Sequence, residues 1–201
     1  GLIVTVEADT SAIDYSDDVD GALRNEDNGE NYITYNRDSS QWALTGLTAS
    51  SSIILGVAGD FLMTEDMLSS QKSIREDTAT LPIGNCCVSY IVEVNTDRDY
   101  NIYPQNGVDA RAKINGETGG LISSSGSDFL NAGSIILSDG TMRIYLSFDL
   151  SSSVSVFTHL YLSKKGESNF SPTYTGEGVS LRTGFIQVKE GLSPSSVINT
   201  N

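Results

Sequence analysis

The chain has 201 residues, with 12 Lys and Arg against 26 Asp and Glu, one His and a formal net charge of −14. That balance excludes binding to a nucleic-acid backbone, which needs Lys and Arg to displace counterions, and docking on anionic lipid. No apolar run approaches the ~20 residues of a membrane-spanning helix, and a chain this long holds a core without a disulfide framework.

In chain order, Gly1 to Asp9 lack the basic start of a leader and read as a mature N-terminus. They form an apolar strand, with Leu2, Val4, Val6 and Ala8 on one side and Ile3, Thr5, Glu7 and Asp9 on the other. Burying Leu2, Ile3, Val4 and Val6 is worth on the order of 1.5–3 kcal/mol each, so the strand needs a groove. Its own sheet supplies one; the sheet of a neighbouring copy supplies another, by strand addition. Residues 9–30 then hold eight acids (Asp9, Asp14, Asp17, Asp18, Asp20, Glu26, Asp27, Glu30) and one base, Arg24. They read as a solvated connector. Asp17, Asp18 and Asp20 are also a candidate calcium site, although Ser16 and Asp27 stand where an EF-type loop wants Asp and a bidentate Glu.

From there the hydrophobic period is two, the strand period. Strands are expected at Tyr32–Tyr35, Gln41–Leu44 and Ile53–Ala58. A short helix is expected at Glu65–Ile74, capped by Thr64 and packed through Met67 and Leu68. Cys86, Val88, Tyr90, Val92 and Val94 alternate with Cys87, Ser89, Ile91 and Glu93. Ile102–Tyr103 follows, and Val108, Ala110, Ala112 and Ile114 keep the period. Asn106-Gly107, Asn115-Gly116 and Asp139-Gly140 are turn dipeptides, and the last predicts a hairpin between Ser134–Leu137 and Met142–Leu150. Val154–Ser163 and Val179–Val188 complete the set. Strands recurring about every ten residues predict an all-β, antiparallel β-sandwich of jelly-roll or Ig-like type. The expected division is an N-terminal strand and connector (1–30), the sandwich (31–190) and a polar tail (191–201).

The residues that bear chemistry are sparse. Cys86 and Cys87 are adjacent: buried free thiols on a strand, a bond to another subunit, or a candidate disulfide that would need a distorted turn. Asn169-Phe170-Ser171 is a candidate glycosylation sequon. His159 is the one imidazole, and no Gly-x-Ser-x-Gly elbow accompanies it. With two Cys and one His a catalytic zinc site is not expected. Paired carboxylates are a spatial matter that 26 acids leave open. Trp42, Tyr32, Tyr35, Tyr100 and Tyr103 are candidates for a sugar-binding face or for core packing.

An apolar N-terminal strand, an acidic connector and a Ser- and Gly-rich sandwich resemble the secreted fibre subunits of bacteria and archaea assembled by donor-strand exchange. Pro172-Thr173-Tyr174-Thr175-Gly176 before Val179–Val188 is similar to the final-strand signature of fimbrial and related domains. The separated cysteine pair of chaperone–usher pilins is absent, so the layout is closer to self-assembling archaeal pili and biofilm-matrix fibres. The resemblance implies a structural subunit of an extracellular filament, without enzymatic activity or cofactor beyond calcium. Leu2, Ile3, Val4, Val6 and Ala8 would enter the next copy, making a homopolymer that involves neither nucleic acid nor membrane insertion. The alternative is a secreted glycan-binding or adhesin module that contacts glycans or cell surfaces.

Overall fold

A computed structural model describes residues 12–14, 22–24, 31–33, 40–51, 61–137 and 140–194. The predicted donor strand Leu2–Ala8, the candidate calcium ligands Asp17, Asp18 and Asp20, the strand Ile53–Ala58, Tyr35 and Asp139 lie outside the described residues. The described elements are all strands, and their named pairings are all antiparallel. In chain order β1 (Ala12–Asp14) and β2 (Ala22–Arg24) form a two-stranded ribbon. They are followed by β3 (Ala43–Thr45), β4 (Leu47–Ser51), β5 (Phe61–Glu65), β6 (Ser69–Gln71), β7 (Ser73–Leu81) and β8 (Gly84–Glu93). Next come β9 (Arg98–Gln105), β10 (Arg111–Ile114), β11 (Leu121–Ser125) and β12 (Phe129–Ile136). The chain closes with β13 (Thr141–Leu150), β14 (Val154–Lys164), β15 (Thr173–Thr175) and β16 (Ser180–Glu190).

Two six-stranded sheets make the sandwich. The first runs β11-β10-β9-β14-β7-β3 and the second β12-β13-β8-β16-β5-β4, while β15 and β6 form a small pair. The alternation read from the sequence places the core. Met142, Ile144, Leu146 and Phe148 pair in register with Val92, Tyr90, Val88 and Cys86, and all eight are wholly buried. Val156, Leu160 and Leu162 of β14, with Tyr100 and Ile102 of β9, form the opposing wall. The expected hairpin joins β12 to β13, with Ile136 opposite Met142 and Leu137 N–H donating to Thr141 O at 2.9 Å.

At two of the crossings between the sheets, one joining the edge strands at each end, the chain turns at a glycine. Gly46, between β3 and β4, has φ +61°, and a Cβ there would stand 2.4 Å from Gln71 O. Gly126, between β11 and β12, has φ +114°, and a Cβ would stand 1.9 Å from Asp109 O. Both positions need the left-handed backbone and the missing side chain. A third closure lies beside β16. Of β16, β5 pairs only with Ser180–Thr183, and farther along Tyr32 N–H donates to Val188 O at 2.8 Å while Ala79 N–H donates to Tyr32 O at 2.8 Å. Residues 31–33 thus bridge the two sheets, with Ile33 wholly buried between them.

The predicted helix at Glu65–Ile74 is corrected. Glu65 ends β5, a turn follows in which Leu68 N–H donates to Asp66 Oδ1 at 3.1 Å, and β6 and the start of β7 take up the rest. Met67 and Leu68, expected to pack, are exposed. A helix of this length is marginal by itself, and strand partners on both flanks outweigh it: Leu47 opposite Glu65, and Ile74 opposite Leu160. Asn115-Gly116 is also no two-residue turn. It opens a loop in which Asn115 N–H donates to Gly120 O and Asn115 Oδ1 accepts from Glu117 and Thr118 N–H.

Candidate functional site

The alternation that sends Ile74, Ile102, Ala112 and Leu160 into the core sends their neighbours to the outside of the first sheet. His159 pairs with Tyr103 on one side and Arg75 on the other. Tyr161 pairs with Asn101 and Ser73, and Asn101 with Lys113. Phe157 pairs with Gln105 and Asp77. The His159 and Tyr161 rings stack 5.2 Å apart at an interplanar angle of 7°, and Tyr103 lies 6.5 Å from Tyr161. The Arg75 guanidinium covers the Phe157 ring at 4.0 Å, and Arg111 covers Tyr103 at 4.6 Å. Carboxylates fix both arginines: Asp77 accepts from Arg75 Nε and Nη2 at 3.0 and 3.3 Å, and Asp109 accepts from Arg111 Nη2 at 3.3 Å. The surface is therefore a run of flat apolar and guanidinium planes bordered by hydrogen-bonding groups.

His159 is neutral here. Burial, then the Arg75 charge, lowers its pKa to about 4, with Asp77 opposing. Its Nδ1 is buried without a hydrogen-bond partner. Clefts flank the platform. One, of about 510 Å³, is lined by Gln41, Ala43 and the Arg75–Ala79 segment. The other, of about 400 Å³, lies between β11 and the loop after β14, and includes Asp99, Lys113, Ser123, Ser124 and Phe170. Lys113 is almost wholly buried and donates to Glu167 O; desolvation lowers its pKa, opposed by the charges of Asp99 and Glu167. Between Lys113 and Tyr161 the amide of Asn101 is wholly buried, and neither its Nδ2 nor its Oδ1 has a partner. An unpaired amide in such a place costs roughly 1–3 kcal/mol.

A second polar cluster ties the β15–β6 pair to both sheets. Arg98 donates through Nε and Nη2 to the two carboxylate oxygens of Glu65 at 2.7 and 2.8 Å, with both side chains buried. Tyr174 O–H donates to Glu65 Oε1 at 2.6 Å, and Glu177 accepts from Arg98 Nη2 at 2.9 Å and Lys164 Nζ at 2.6 Å. Lys72, Arg98 and Lys164 surround the Tyr174 ring at 5.5–5.7 Å. Burial raises the Glu65 pKa, but the hydrogen bonds from Arg98, Tyr174 and the Glu177 N–H, with the Arg98 charge, bring it below the usual carboxylate value. Glu65 and Glu177 are thus both held ionised by cations. This is a structural brace, with no carboxyl poised to give up a proton.

Of the predicted site residues, Cys86 and Cys87 are buried free thiols on β8, so the candidate disulfide is corrected: neighbours on a strand point to opposite faces. Burial raises them to about 12 and about 11. Asn169 sits in the exposed loop after β14, where its Oδ1 accepts from Ser171 N–H at 3.1 Å. Among the predicted aromatics that are described, only Tyr103 lies on the platform. Tyr100 is in the core with its hydroxyl on Glu93 O, Trp42 is buried edge-on against Phe61, and Tyr32 donates to Glu190. Phe157, Tyr161, Arg75 and Arg111 were not singled out from the sequence. The legible signal was Phe157, His159 and Tyr161 recurring on the polar side of an alternating strand. Among the described residues no three His, Cys, Asp or Glu converge as metal ligands, and no helix is long and apolar enough to cross a membrane.

No family model and no curated protein matches the chain. Among solved structures it is similar to the enzymatically active domain of tailspike protein 4 of bacteriophage CBA120, at 11% identity and a TM-score of 0.44. The match covers 79% of this chain and 21% of the other, so this chain spans about a fifth of that structure. That structure is described as an enzymatically active domain, counter to the expectation of a chain without enzymatic activity. The chain itself is an all-β module of antiparallel sheets packed as a sandwich.

Proposed function

We propose that the chain is a glycan-binding β-sandwich module of a secreted surface structure, holding its sugar on the outer face of the first sheet. The carrying observation is the platform itself, where Tyr103, Phe157, His159 and Tyr161 lie together with Arg75 and Arg111 over two of the rings. A pyranose presents C–H faces to such planes and hydroxyls to the bordering groups. The Arg75–Asp77 pair offers donors and acceptors at one edge, the Arg111–Asp109 pair at the other. Tyr103, Phe157 and His159 keep part of their surface in solvent on this side of the sheet, while Tyr161 beside them is buried. Affinity electrophoresis through gels holding neutral or uronic-acid polysaccharides tests this. Retardation by at least one polymer is expected, with Tyr103→Ala and Phe157→Ala each weakening it about tenfold, near 1.4 kcal/mol, and Ile83→Ser, at an exposed site off the platform, leaving it unchanged. No retardation by any polymer, or equal loss in the Ile83 control, refutes the platform. Reducing-end release is measured alongside.

The second reading is the filament built by strand donation, with calcium as a bridging cation. The closure beside β16 favours it, since among the described residues only Asn31–Ile33 stands between β16 and β7 beyond the end of β5. Removing residues 1–8 should leave a folded body that does not polymerise; fibres from the truncated chain would end this reading.

A further inference from the structure

We infer that a second copy of this chain pairs with the free edge of β12, antiparallel and about a two-fold axis, joining two second sheets into one. Among the described residues β12 is the edge strand of its sheet, its backbone laddered to β13 alone, with the Ser134 hydroxyl donating to Gly119 O at 2.9 Å. It is eight residues long, and its other edge offers a row of backbone N–H and C=O groups to another extended strand. Edge strands are usually protected by charge or proline, and neither is present in Phe129–Ile136 or in β11 beside it. The one irregularity, between Phe129 and Asn131, leaves Asn131–Ile136 regular.

The side chains agree with the backbone. Leu130, Ile135 and Ile136 on β12 and Leu121 and Ile122 on β11 are 43–57% exposed, five large apolar groups on the two edge strands at this end of the sheets. Scattered exposed Leu and Ile need no explanation, but a cluster along an unpaired edge marks an interaction surface. The occupant follows from charge and symmetry. A body with net charge −14 repels its own copies except where the contact is uncharged, and β11 and β12 supply such a strip, with Asp128 in the corner between them. Pairing one strand with itself about a two-fold is necessarily antiparallel, as in the rest of the sheet, and places the same apolar residues on both sides. The platform lies on the other sheet, so the pair would present two platforms.

Sedimentation equilibrium of the full chain, up to about 100 μM, tests this. Wild type is expected to show a concentration-dependent dimer. Ile135→Lys puts a charge into the uncharged strip and enters twice, weakening the dimer at least about a hundredfold, while Ile83→Lys, exposed elsewhere, leaves it intact. Hydrogen exchange on the unmodified chain is expected to show amides within Asn131–Ile136 gaining protection as concentration rises. A monomer at all concentrations, a dimer that survives Ile135→Lys, or protection that leaves β12 unchanged would each overturn the pairing. So would an open-ended ladder of oligomers, which would indicate head-to-tail strand donation.

Discussion

Glu65→Gln removes one charge and keeps the side chain's shape. In the wild type four donors converge on two oxygens: Arg98 Nε and Tyr174 O–H on Oε1, Arg98 Nη2 and Glu177 N–H on Oε2. A glutamine offers one oxygen and one NH₂, so two of these donors would face another donor and Arg98 would lose its buried counter-ion. Breaking a buried pair on one side costs about 3–5 kcal/mol. Glu177, half-exposed and also on Arg98 Nη2, retains part of the compensation, which favours the lower end, about 3 kcal/mol. For a chain of this size that corresponds to a drop in Tm of about 6–12 °C, read by thermal unfolding followed by circular dichroism. The sign with pH is fixed as well. The folded pKa of Glu65 lies below its ordinary value, so its contribution is present above the unfolded pKa and lost as pH falls through the folded one. The gap between wild type and Glu65→Gln should therefore close in acid. Replacing both partners, Glu65→Met with Arg98→Met, should recover most of the loss, because no charge is then stranded. A Tm within about 2 °C of wild type for Glu65→Gln alone would refute the buried-brace account.

His159 gives a second pH signature: its folded pKa, near 4, lies below the ordinary 6.5, so the unfolded chain takes up a proton that the folded chain refuses. Stability should fall as pH drops through that window, by about 1–2 kcal/mol once screening of a half-exposed ring is allowed for. Urea unfolding at both ends of the window should show this loss reduced in His159→Gln; equal losses would exclude the ring as its source. The two thiols, raised to about 12 and about 11, should resist iodoacetamide in the folded chain and both react in denaturant. Mass spectrometry counts the adducts, and ready labelling of the folded protein, or a mass lower by two hydrogens, would contradict two buried free thiols.

The sequence by itself determined the class of fold and much of the core, because a sheet with one buried face stamps a period of two on its strands. Met142 to Leu150, Cys86 to Val92 and Val154 to Leu162 carry that period over long runs, and each is a long strand in the structure. Short or polar strands carry too little of it: β6 and β11 are Ser-rich, β15 spans three residues, and Glu65–Ile74 imitated a helical turn. Tertiary structure alone decided which strands neighbour one another, and with that the site. Tyr103, Arg111, Arg75 and Phe157 stand on four strands that adjoin only through the order β10-β9-β14-β7, and Glu65 meets Arg98 and Tyr174 across sequence separations of 33 and 109. Periodicity says which way a side chain points, since that is local geometry. Which side chains then touch depends on strand order, a property of the whole packed chain that no window of sequence contains.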